Sequence, residues 1–592
     1  MKNKKEIENF LDENFGYNFK LETKAKSELL LNVLFFIVVF ILIFYGAKLT
    51  ILDFKKNIKI SESHYYYTIP FFPARGNIIS ADNFTLAENK FGFDLIIDLV
   101  ILRSKREIFE ETVNFLEQIG ILKEEREITK KDLEEKIKKQ SQIILRNIGE
   151  EKAFLIKNRQ LPSLIVIENF IRSYPYPEVF SHVLGTLKLE NNSYIGASGL
   201  EKSYDNFLLG SLGYKKYLRN ARGEIIKEIE EKGSKQGFHL KTTINFRLQK
   251  IIFEEFEKFS KENEIKKGAI IFMDKDGRIL SLLSFPSFDN NLFTKFLTDK
   301  KEVEKLKNIL QSKDSPLYNR ATLGIYLPGS TIKPLVGVAG LELGKINKED
   351  RILSTGKILL KNPYSGKIYV FKDWKEGGHG LVNIEEAIKE SVNTFFYLLG
   401  EKIGAENILN FYKKILLNQP TGIDIEEKSG FLPDKLSFLG DIFNISIGQG
   451  KIGLTPLRLV LMMESLVLNK ISRPFLVEKI IDNEGNVVFE RKPEVILDNI
   501  FSEKNLKIIK KGMELVVSEG FGKILIPFSV AGKTGTPQAG ESINGIFVGY
   551  FPRENPQYFF VVLLENSKLW SLSAIRLTYN ILNRAFKEGI FK

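Results

Sequence analysis

A serine and a lysine lie three residues apart where an apolar helical pattern begins, at Ser330 and Lys333. Residues at this spacing share one face of a helix. A serine hydroxyl becomes a nucleophile when a base removes its proton, and a lysine amine can be that base if burial and neighbouring cations lower its pKa. The N–H groups at the start of the helix point to the place where an oxyanion would form. The pair therefore predicts acyl transfer through a serine.

A second motif, Ser391-Val-Asn393, lies at the start of another apolar helical pattern. Its hydroxyl can relay a proton and its amide can hold a substrate carbonyl. Taken alone, the motif is also typical of ordinary helix polarity, just as Ser330 alone can be a helix cap. A further Ser-x-Asn at 542–544 shows how weak the pattern is by itself.

The third motif is Lys533-Thr534-Gly535, the only Lys-Thr-Gly of the chain, followed by Thr536. Small residues around it are typical of a strand edge that a ligand backbone approaches closely. Lys533 and Thr534 can bind a substrate carboxylate, and the N–H of Thr536 can complete an oxyanion hole with that of Ser330. The three motifs in this order predict one active site.

The chain contains a second Ser-x-x-Lys, from Ser354 to Lys357. A glycine at its third position and a strand-like sequence after it would point the two side chains to opposite or unrelated faces. We interpret this copy as a chance match.

The elements that must position these motifs begin and end with strands. Residues 268–284 predict two strands joined by an Asp-Gly turn at 276–277, and residues 545–551 and 558–565 predict two more strands before a closing helix at 571–587. Strands early and late, with helical sequence between them, indicate an antiparallel sheet with an inserted helical subdomain. This architecture leaves a cleft between the sheet and the helices.

The sequence between the apolar N-terminal run and Phe246 mixes strand and helix patterns. Residues 93–101 predict a strand, whereas residues 105–122 and 129–146 predict helices with charged outer faces. Glycines punctuate residues 190–240 and indicate turn-rich structure that leads to another unit. We therefore place the main boundary near Phe246.

An uncharged run, Leu29–Ala47, is 19 residues long. A helix of this length spans about 28 Å, close to the roughly 30 Å core of a bilayer. A buried core helix and a cleaved signal peptide are weaker interpretations, because the run is long and no small-residue cleavage site follows it. The sequence predicts an uncleaved anchor, although lysines on both sides leave its orientation open.

The composition excludes several classes of protein. The 592 residues carry 86 Lys+Arg and 74 Asp+Glu, a net charge of +12, without a long block of like charges, so no nucleic-acid partner is predicted. The absence of cysteine excludes disulfide scaffolds, thiolate metal sites and cysteine nucleophiles. With 43% hydrophobic residues the chain is mostly globular, and its length predicts about three or four modules.

The three motifs together are the signature of the penicillin-binding and serine β-lactamase superfamily, and the chain resembles the monofunctional class B penicillin-binding proteins over nearly its whole length. The residues around Lys372-Asp-Trp-Lys-Glu-Gly-Gly-His-Gly380 resemble the branch that serves rod elongation rather than division. Other family-like segments are Pro73-Ala-Arg-Gly-Asn-Ile-Ile-Ser, Ser198-Gly-Leu-Glu-Lys-Ser-Tyr-Asp, Leu240-Lys-Thr-Thr-Ile-Asn, Asn319-Arg-Ala, Gly448-Gln-Gly450 and Thr455-Pro456.

This resemblance implies an α+β fold with a single transmembrane helix, an elongated N-terminal pedestal domain and a transpeptidase domain made of an antiparallel sheet with a helical subdomain. It implies a cytoplasmic tail at 1–28, an anchor at 29–48, the pedestal at 49–245 and the transpeptidase domain at 246–592. The chain would be a single-pass protein of the inner, cytoplasmic membrane with its catalytic domain in the periplasm.

The resemblance also implies an activity and its partners. Ser330 would attack the D-Ala–D-Ala bond of a peptidoglycan stem peptide, as in serine-type D,D-carboxypeptidases, and a neighbouring stem amine would take the acyl group during cell-wall elongation. β-Lactams would acylate the same serine. The expected partners are stem peptides, the lipid bilayer and a membrane glycosyltransferase of the elongation machinery, and no cofactor is implied.

Two departures from the family pattern stand out. Val392 lies where many relatives have Asp, but that side chain is not needed for the hydrogen bonds described. Some relatives hold a metal near the Asp-Trp…Gly-His-Gly loop with a cysteine ligand, which this chain lacks. We interpret Asp373 and His379 as structural and predict no metal.

Other functions use the same motifs. A D,D-carboxypeptidase, a β-lactamase or a β-lactam sensor differs in how the acyl-enzyme is resolved, although the long N-terminal module favours a synthase. From a different class, the protein could act mainly as a structural activator of a membrane glycosyltransferase.

Overall fold

Helices and antiparallel strands alternate in both halves of the molecule, which confirms the α+β fold. The computed structural model describes residues 6, 9, 13, 19–48, 65–122, 129–138, 142–220, 225–294, 300–361, 366–540, 542–567 and 569–591.

A 29-residue helix, Phe19–Ala47, precedes the folded part. Its stretch Leu29–Ala47 is long and apolar enough to cross a membrane, and none of that stretch is buried against the described remainder of the chain. Phe36 and Phe40, for example, are each 69% exposed. A core helix would have such side chains covered on every face, so the core-helix interpretation is wrong. The helix is consistent with a single-pass membrane anchor.

The N-terminal part is built on two sheets. The first sheet has the strand order Tyr66–Phe71, Gly213–Arg219, Ile225–Lys232. The second has the order Val487–Glu490, Val477–Ile481, His239–Thr242, Ile78–Ile79, Thr85–Asp98, Gln142–Leu145, with Leu164–Ser173 also paired to Thr85–Asp98. A hairpin adds Leu187–Glu190 and Ser193–Gly196. The helices are Leu99–Ser104, Arg106–Gln118, Lys130–Lys136, Glu150–Arg159, Ser181–Leu184, Gly199–Ser203 and Asp205–Leu208.

The strand predicted for residues 93–101 ends earlier, at Asp98. The Asp98 carboxylate accepts hydrogen bonds from the N–H groups of Val100 (2.9 Å) and Ile101 (3.2 Å). These bonds cap a short helix that begins at the next residue, so the chain leaves the sheet there.

The helix predicted for residues 129–146 is wrong beyond Lys136, because Gln142–Leu145 is a strand. Ile143 and Leu145 pack into one apolar cluster and Ile144 into another. A strand that is buried on both faces has a continuous apolar sequence rather than an alternating one, and such a run cannot be told from a helix by periodicity.

The C-terminal part contains the predicted antiparallel sheet, which we call the catalytic sheet. Its strand order is Ile279–Phe285, Gly268–Asp274, Tyr558–Leu564, Gly545–Phe551, Ala531–Gly535. The turn between its first two strands passes through Gly277 at φ +83°, which confirms the predicted hairpin. The closing helix is Ser571–Lys587, as predicted.

Side chains alternate across the catalytic sheet, as the pleat of a strand requires. Ile546 and Val548 face the helical subdomain, whereas Phe547 and Phe551 face the helices Phe246–Asn263 and Ser571–Lys587. The sheet is therefore the middle layer between two sets of helices.

The helical subdomain lies between the outer strands in sequence, as predicted. Its α-helices are Lys300–Gln311, Lys333–Glu342, Ile384–Lys389, Asn393–Ile403, Ala405–Lys414, Leu439–Ser446, Pro456–Leu468 and Glu503–Ser518, and its 3₁₀ helices are Asn290–Phe293, Gly329–Ile332 and Lys523–Phe528. Small two-stranded sheets pair Ile352–Ser354 with Gly380–Val382, Lys357–Lys361 with Ile368–Lys372, Lys470–Ser472 with Val495–Asp498, and Gln538–Ala539 with Ser542–Ile543.

Main-chain pairing crosses the boundary that the sequence predicts near Phe246. The strand His239–Thr242 pairs in parallel with Ile78–Ile79 on one side. On its other side it pairs antiparallel with Val477–Ile481, which lies far along the chain in the C-terminal part. The two parts therefore share one continuous sheet.

A buried ion cluster joins two of the family-like segments. Glu201 is fully buried and contacts Arg75 (2.8 Å) and Arg172 (2.6 Å), and it accepts a hydrogen bond from Tyr174 (3.1 Å). Arg75 also contacts Asp205 at 2.8 Å. Burial alone would raise the pKa of Glu201, but Arg172 and Arg75 hold it below its usual value. Glu201 is thus ionised and compensates two buried guanidinium groups.

We expect Glu201→Gln to lower the free energy of unfolding by about 3–5 kcal/mol, because two buried cations lose their shared carboxylate. Glu111→Gln is the matched control, since its pair with Arg159 is half exposed, and we expect it to cost less than about 1 kcal/mol. Urea unfolding in detergent, followed by circular dichroism, measures both. Equally small losses of unfolding free energy in the two variants would contradict a stabilising role of Glu201 in the buried cluster.

Candidate active site

Ser330 lies in the 3₁₀ turn Gly329–Ile332, which leads directly into the helix Lys333–Glu342. Gly329 has φ +53°, and its N–H donates to the carbonyl of Gly448 at 2.9 Å. A Cβ added to Gly448 would lie 2.3 Å from the Gly329 carbonyl oxygen, so only glycine permits this approach. The turn that carries the half-buried Ser330 is therefore fixed by backbone contact.

Lys333 is fully buried, and its amine is held by the second motif. The Nζ donates to the Asn393 Oδ1 at 2.6 Å, to the Ser391 carbonyl at 2.7 Å and to the Ser391 Oγ at 3.3 Å. Ser391 has φ +55°, a left-handed conformation that a serine adopts at some cost in strain. The structure thus brings Lys333, Ser391 and Asn393 into direct contact.

The surroundings of Lys333 favour its neutral form. Burial lowers the pKa of Lys333 well below its usual value, the positive charge of Lys533 lowers it further, and Asp373 acts in the opposite direction. Burial also lowers the pKa of Lys533, to about 7. An amine that is deprotonated near neutrality can accept the proton of a serine hydroxyl.

The third motif forms the edge strand Ala531–Gly535 of the catalytic sheet. A Cβ added to Gly535 would lie 2.8 Å from Thr331 Cγ2 and 3.0 Å from the Pro328 carbonyl oxygen. The strand therefore packs tightly against the turn that carries Ser330. The amine of Lys533, which is fully buried, donates to the carbonyl of Thr534 at 3.2 Å.

Thr534 and Thr536 lie at different depths at the end of this strand. Thr534 is buried, whereas Thr536 is exposed, and the Thr536 hydroxyl donates to Ser571 Oγ at 3.3 Å. The pairing of the Ser330 and Thr536 N–H groups in one oxyanion hole stays a prediction.

The second Ser-x-x-Lys does not form a site. Ser354 is buried, and its hydroxyl lies 2.7 Å from the Thr394 hydroxyl. Lys357 is exposed on a different small sheet. The two side chains have separate surroundings, as expected for a chance match.

The sequence did not assign a role to Gln449, in the Gly-Gln-Gly segment. With its amide oriented to satisfy both bonds, Gln449 donates to the carbonyl of Gln538 (3.3 Å) and accepts from its N–H (3.2 Å). Together with Gly448, which accepts from Gly329, it ties the Ser330 turn to the chain that follows Thr536. The only signal in the sequence was the glycine spacing, which indicates close backbone approach but no partner.

Family models match two parts of the chain. The model described as the penicillin-binding protein transpeptidase domain matches residues 268–587, more than half of the chain. The model described as the penicillin-binding protein dimerisation domain matches residues 70–242.

Curated relatives are similar over most of their length. The peptidoglycan D,D-transpeptidase MrdA of Haemophilus influenzae is 30% identical over 571 residues, which cover 87% of this chain and 84% of that protein. Stage V sporulation protein D of Bacillus subtilis is 28% identical over 570 residues, which cover 92% of this chain and 82% of that protein.

Two solved structures share the fold. The complex between penicillin-binding protein PBP2 and MreC from Helicobacter pylori gives a TM-score of 0.72 at 23% identity, covering 89% of this chain and 100% of that chain. Pseudomonas aeruginosa PBP2 in complex with WCK 5153 gives a TM-score of 0.61 at 24% identity, covering 87% and 96%.

We expect the rate constant of Ser330 acylation by a penicillin to fall on the acid side of the pH range when Lys333 becomes protonated, at a pH well below the usual lysine pKa of about 10.4. Lys533 carries its charge below about pH 7, and this charge lowers the pKa of Lys333. Lys533→Met removes this charge and therefore raises the pKa of Lys333. The fall of the rate constant at acid pH, which we call the acid limb of the pH–rate profile, therefore moves to higher pH. Stopped-flow acylation between pH 5 and 9 measures the shift.

The control for this experiment is Lys357→Met, which removes an exposed lysine. Its profile should match that of the unmodified protein. An acid limb at the same pH in Lys533→Met would show that Lys533 does not tune Lys333.

Proposed function

The chain belongs to the penicillin-binding protein transpeptidase family, and we propose that it cross-links peptidoglycan stem peptides as a D,D-transpeptidase through an acyl-enzyme at Ser330. The observation that carries this proposal is the buried amine of Lys333, one turn after Ser330, with neutral oxygen acceptors from Ser391 and Asn393. This arrangement supplies a base without a metal or cofactor.

In the first half-reaction, the Ser330 Oγ attacks the carbonyl carbon of the penultimate D-Ala. The hydroxyl proton passes to the Lys333 amine, and the Ser391 hydroxyl, 3.3 Å from that amine, relays protons. The C–N bond to the terminal D-Ala then breaks, its nitrogen takes the proton, and an ester to Ser330 remains. Thr534 and Gly535, with the Lys533 charge, bind the terminal carboxylate of the donor.

In the second half-reaction, an amine of a neighbouring stem peptide attacks the ester. Lys333 takes a proton from that amine and returns one to the Ser330 oxygen, so the cross-link forms and the serine is regenerated. The N–H groups of Ser330 and Thr536 stabilise the oxyanion in both steps. A β-lactam acylates Ser330 by the first route, and its acyl group then blocks the second.

The resemblance to class B penicillin-binding proteins and the apolar helix Leu29–Ala47 support a location for this reaction. We place residues 1–28 in the cytoplasm, residues 29–48 in the bilayer, and the pedestal (49–245) and transpeptidase domain (246–592) in the periplasm, where peptidoglycan lies. A membrane glycosyltransferase of the elongation machinery supplies the strands that this enzyme cross-links. Relatives named peptidoglycan D,D-transpeptidase MrdA support the cross-linking activity, and the resemblance of residues 372–380 to the rod-elongation branch supports a role in elongation.

The alternative functions fit less well. A β-lactamase or a β-lactam sensor needs only the catalytic part, whereas here the N-terminal part shares a continuous sheet with it. An enzyme of the D,D-carboxypeptidase class would use the same first step and water in the second. A structural activator of the glycosyltransferase would not require a buried lysine with a lowered pKa one turn after a serine.

Labelling with a fluorescent penicillin tests the proposed function in the detergent-solubilised protein. We expect label that persists for hours in the unmodified protein and in Lys357→Ala, but not in Ser330→Ala or Lys333→Ala. Lys357→Ala is the matched control, because it removes the lysine of the second Ser-x-x-Lys.

Any other labelling result would support an alternative function or another nucleophile. Rapid loss of label from the unmodified protein would indicate a β-lactamase. An unmodified protein that never labels would leave the structural activator, and label retained in Ser330→Ala would show that another residue is the nucleophile.

A further inference from the structure

The helix that carries Asn393 lacks a cap of its own. It spans Asn393–Ile403, and the residue at its N-cap position is Val392, which has no polar side chain. The first N–H groups of a helix need partners from elsewhere. Here the partner comes from the loop between the strands Ile368–Lys372 and Gly380–Val382.

Asp373 in this loop caps the helix from outside. Its carboxylate is fully buried, and its Oδ2 accepts from the Thr394 N–H (3.0 Å) and from the Thr394 hydroxyl (2.9 Å). Its Oδ1 accepts from the N–H of Trp374 at 2.8 Å. A negative charge at this place also interacts favourably with the helix dipole.

Lys372, the last residue of the strand before Asp373, holds Asn393, the residue before Thr394. The Asn393 Nδ2 donates to the Lys372 carbonyl at 3.2 Å, which leaves the Asn393 Oδ1 free to accept from Lys333. Lys372 and Asp373 therefore fix the positions of Asn393 and Thr394. The amide orientation of Asn393 at the active site depends on this loop.

The hydrogen bonds that connect Asp373 to His379 have fixed donors and acceptors. A carboxylate only accepts, so the Thr394 hydroxyl donates to Asp373 and must accept from Ser354, which lies 2.7 Å away. The Ser354 hydroxyl in turn accepts from the N–H of His379 at 3.2 Å. The loop closes on itself through this chain from His379 to Asp373.

The residues present do not fit the metal that some relatives hold near this loop. Both oxygens of Asp373 accept hydrogen bonds from the protein. The His379 Nε2 lies 3.6 Å from the Asp373 Oδ1 and is buried without a hydrogen-bond partner, so these two residues alone would have to hold the ion. Within the described ranges no group of three His, Asp or Glu side chains is placed to hold a metal ion. With no cysteine in the chain, a complete ligand set is missing.

We propose that Asp373 is a positioning residue, which fixes the start of the helix through its hydrogen bonds to Thr394 and thereby sets the adjacent Asn393, and through Asn393 the amine of Lys333, without a metal. The inference rests on the proposed acyl transfer at Ser330. Thr394 and Ser354 are further members of the same chain. The negative charge of Asp373 also raises the pKa of Lys333 against the effects of burial and of Lys533.

The test is the rate constant of acylation by a fluorescent penicillin, measured between pH 5 and 9 in the full-length protein. We expect Thr394→Val to lower this rate constant about tenfold and Thr394→Ser to restore it to within about threefold, because serine keeps the hydroxyl. Neither variant changes a charge, so the acid limb should stay at the same pH in both.

Asp373→Asn should lower the rate constant about tenfold or more and move the acid limb to lower pH, because loss of a nearby negative charge lowers the pKa of Lys333. Glu376→Gln makes the same change at an exposed position of the same loop, and its rate constant and profile should stay unchanged. The shift of the acid limb reports the lost negative charge, whereas a lower rate constant at pH values above the limb reports the lost hydrogen bonds to Thr394. Melting temperatures of all variants identify any that fail to fold.

Dialysis against a chelator should leave the rate constant of the unmodified protein unchanged, and a loss on dialysis that zinc restores would overturn the metal-free chain. Rate constants and profiles unchanged in Thr394→Val and Asp373→Asn would overturn the positioning role. If Ser330→Ala still blocks labelling in that case, only this inference fails, whereas label retained in Ser330→Ala would overturn the proposed function itself.

Discussion

The active site depends on an amine that is buried without a carboxylate at hydrogen-bond distance. Lys333 is fully buried, and the hydrogen-bond acceptors at its Nζ are neutral oxygens of Ser391 and Asn393. A carboxylate at hydrogen-bond distance would hold the amine protonated, whereas water in its place would return the pKa toward that of a free lysine. Neutral acceptors compensate for the burial without adding a negative charge that would hold the proton on the amine.

This constraint determines the surrounding backbone. The Ser391 carbonyl reaches the amine because Ser391 adopts a positive φ just before the helix that begins at Asn393. Gly329 and Gly535 in turn allow the turn that carries Ser330 and the edge strand to approach each other closely. The strained Ser391 and these glycines thus shape one site, in which the oxygen atoms that contact Lys333 carry no charge.

Local patterns predicted much of this arrangement. The catalytic sheet, its Asp-Gly hairpin and the closing helix followed from alternation and turn residues, which act over a few positions. The strand at Gln142–Leu145 did not, because burial on both faces removes the alternation. Local patterns also could not predict the contacts of Asp373 with Thr394 and of Gln449 with Gln538, because these residues come together only in the tertiary structure. The motif residues were identifiable from type and order, but their acceptors and orientation were not.

The sheet that passes from the pedestal into the catalytic part has a mechanical consequence. His239–Thr242 has one partner strand in each part, and the Thr243 hydroxyl donates to the carbonyl of Ile279, in the first strand of the catalytic sheet. Hydrogen-bonded strands resist sliding because many bonds must break together. Rotation of the N-terminal part relative to the catalytic sheet would therefore have to break main-chain hydrogen bonds of this shared strand, which couples the orientations of the two parts.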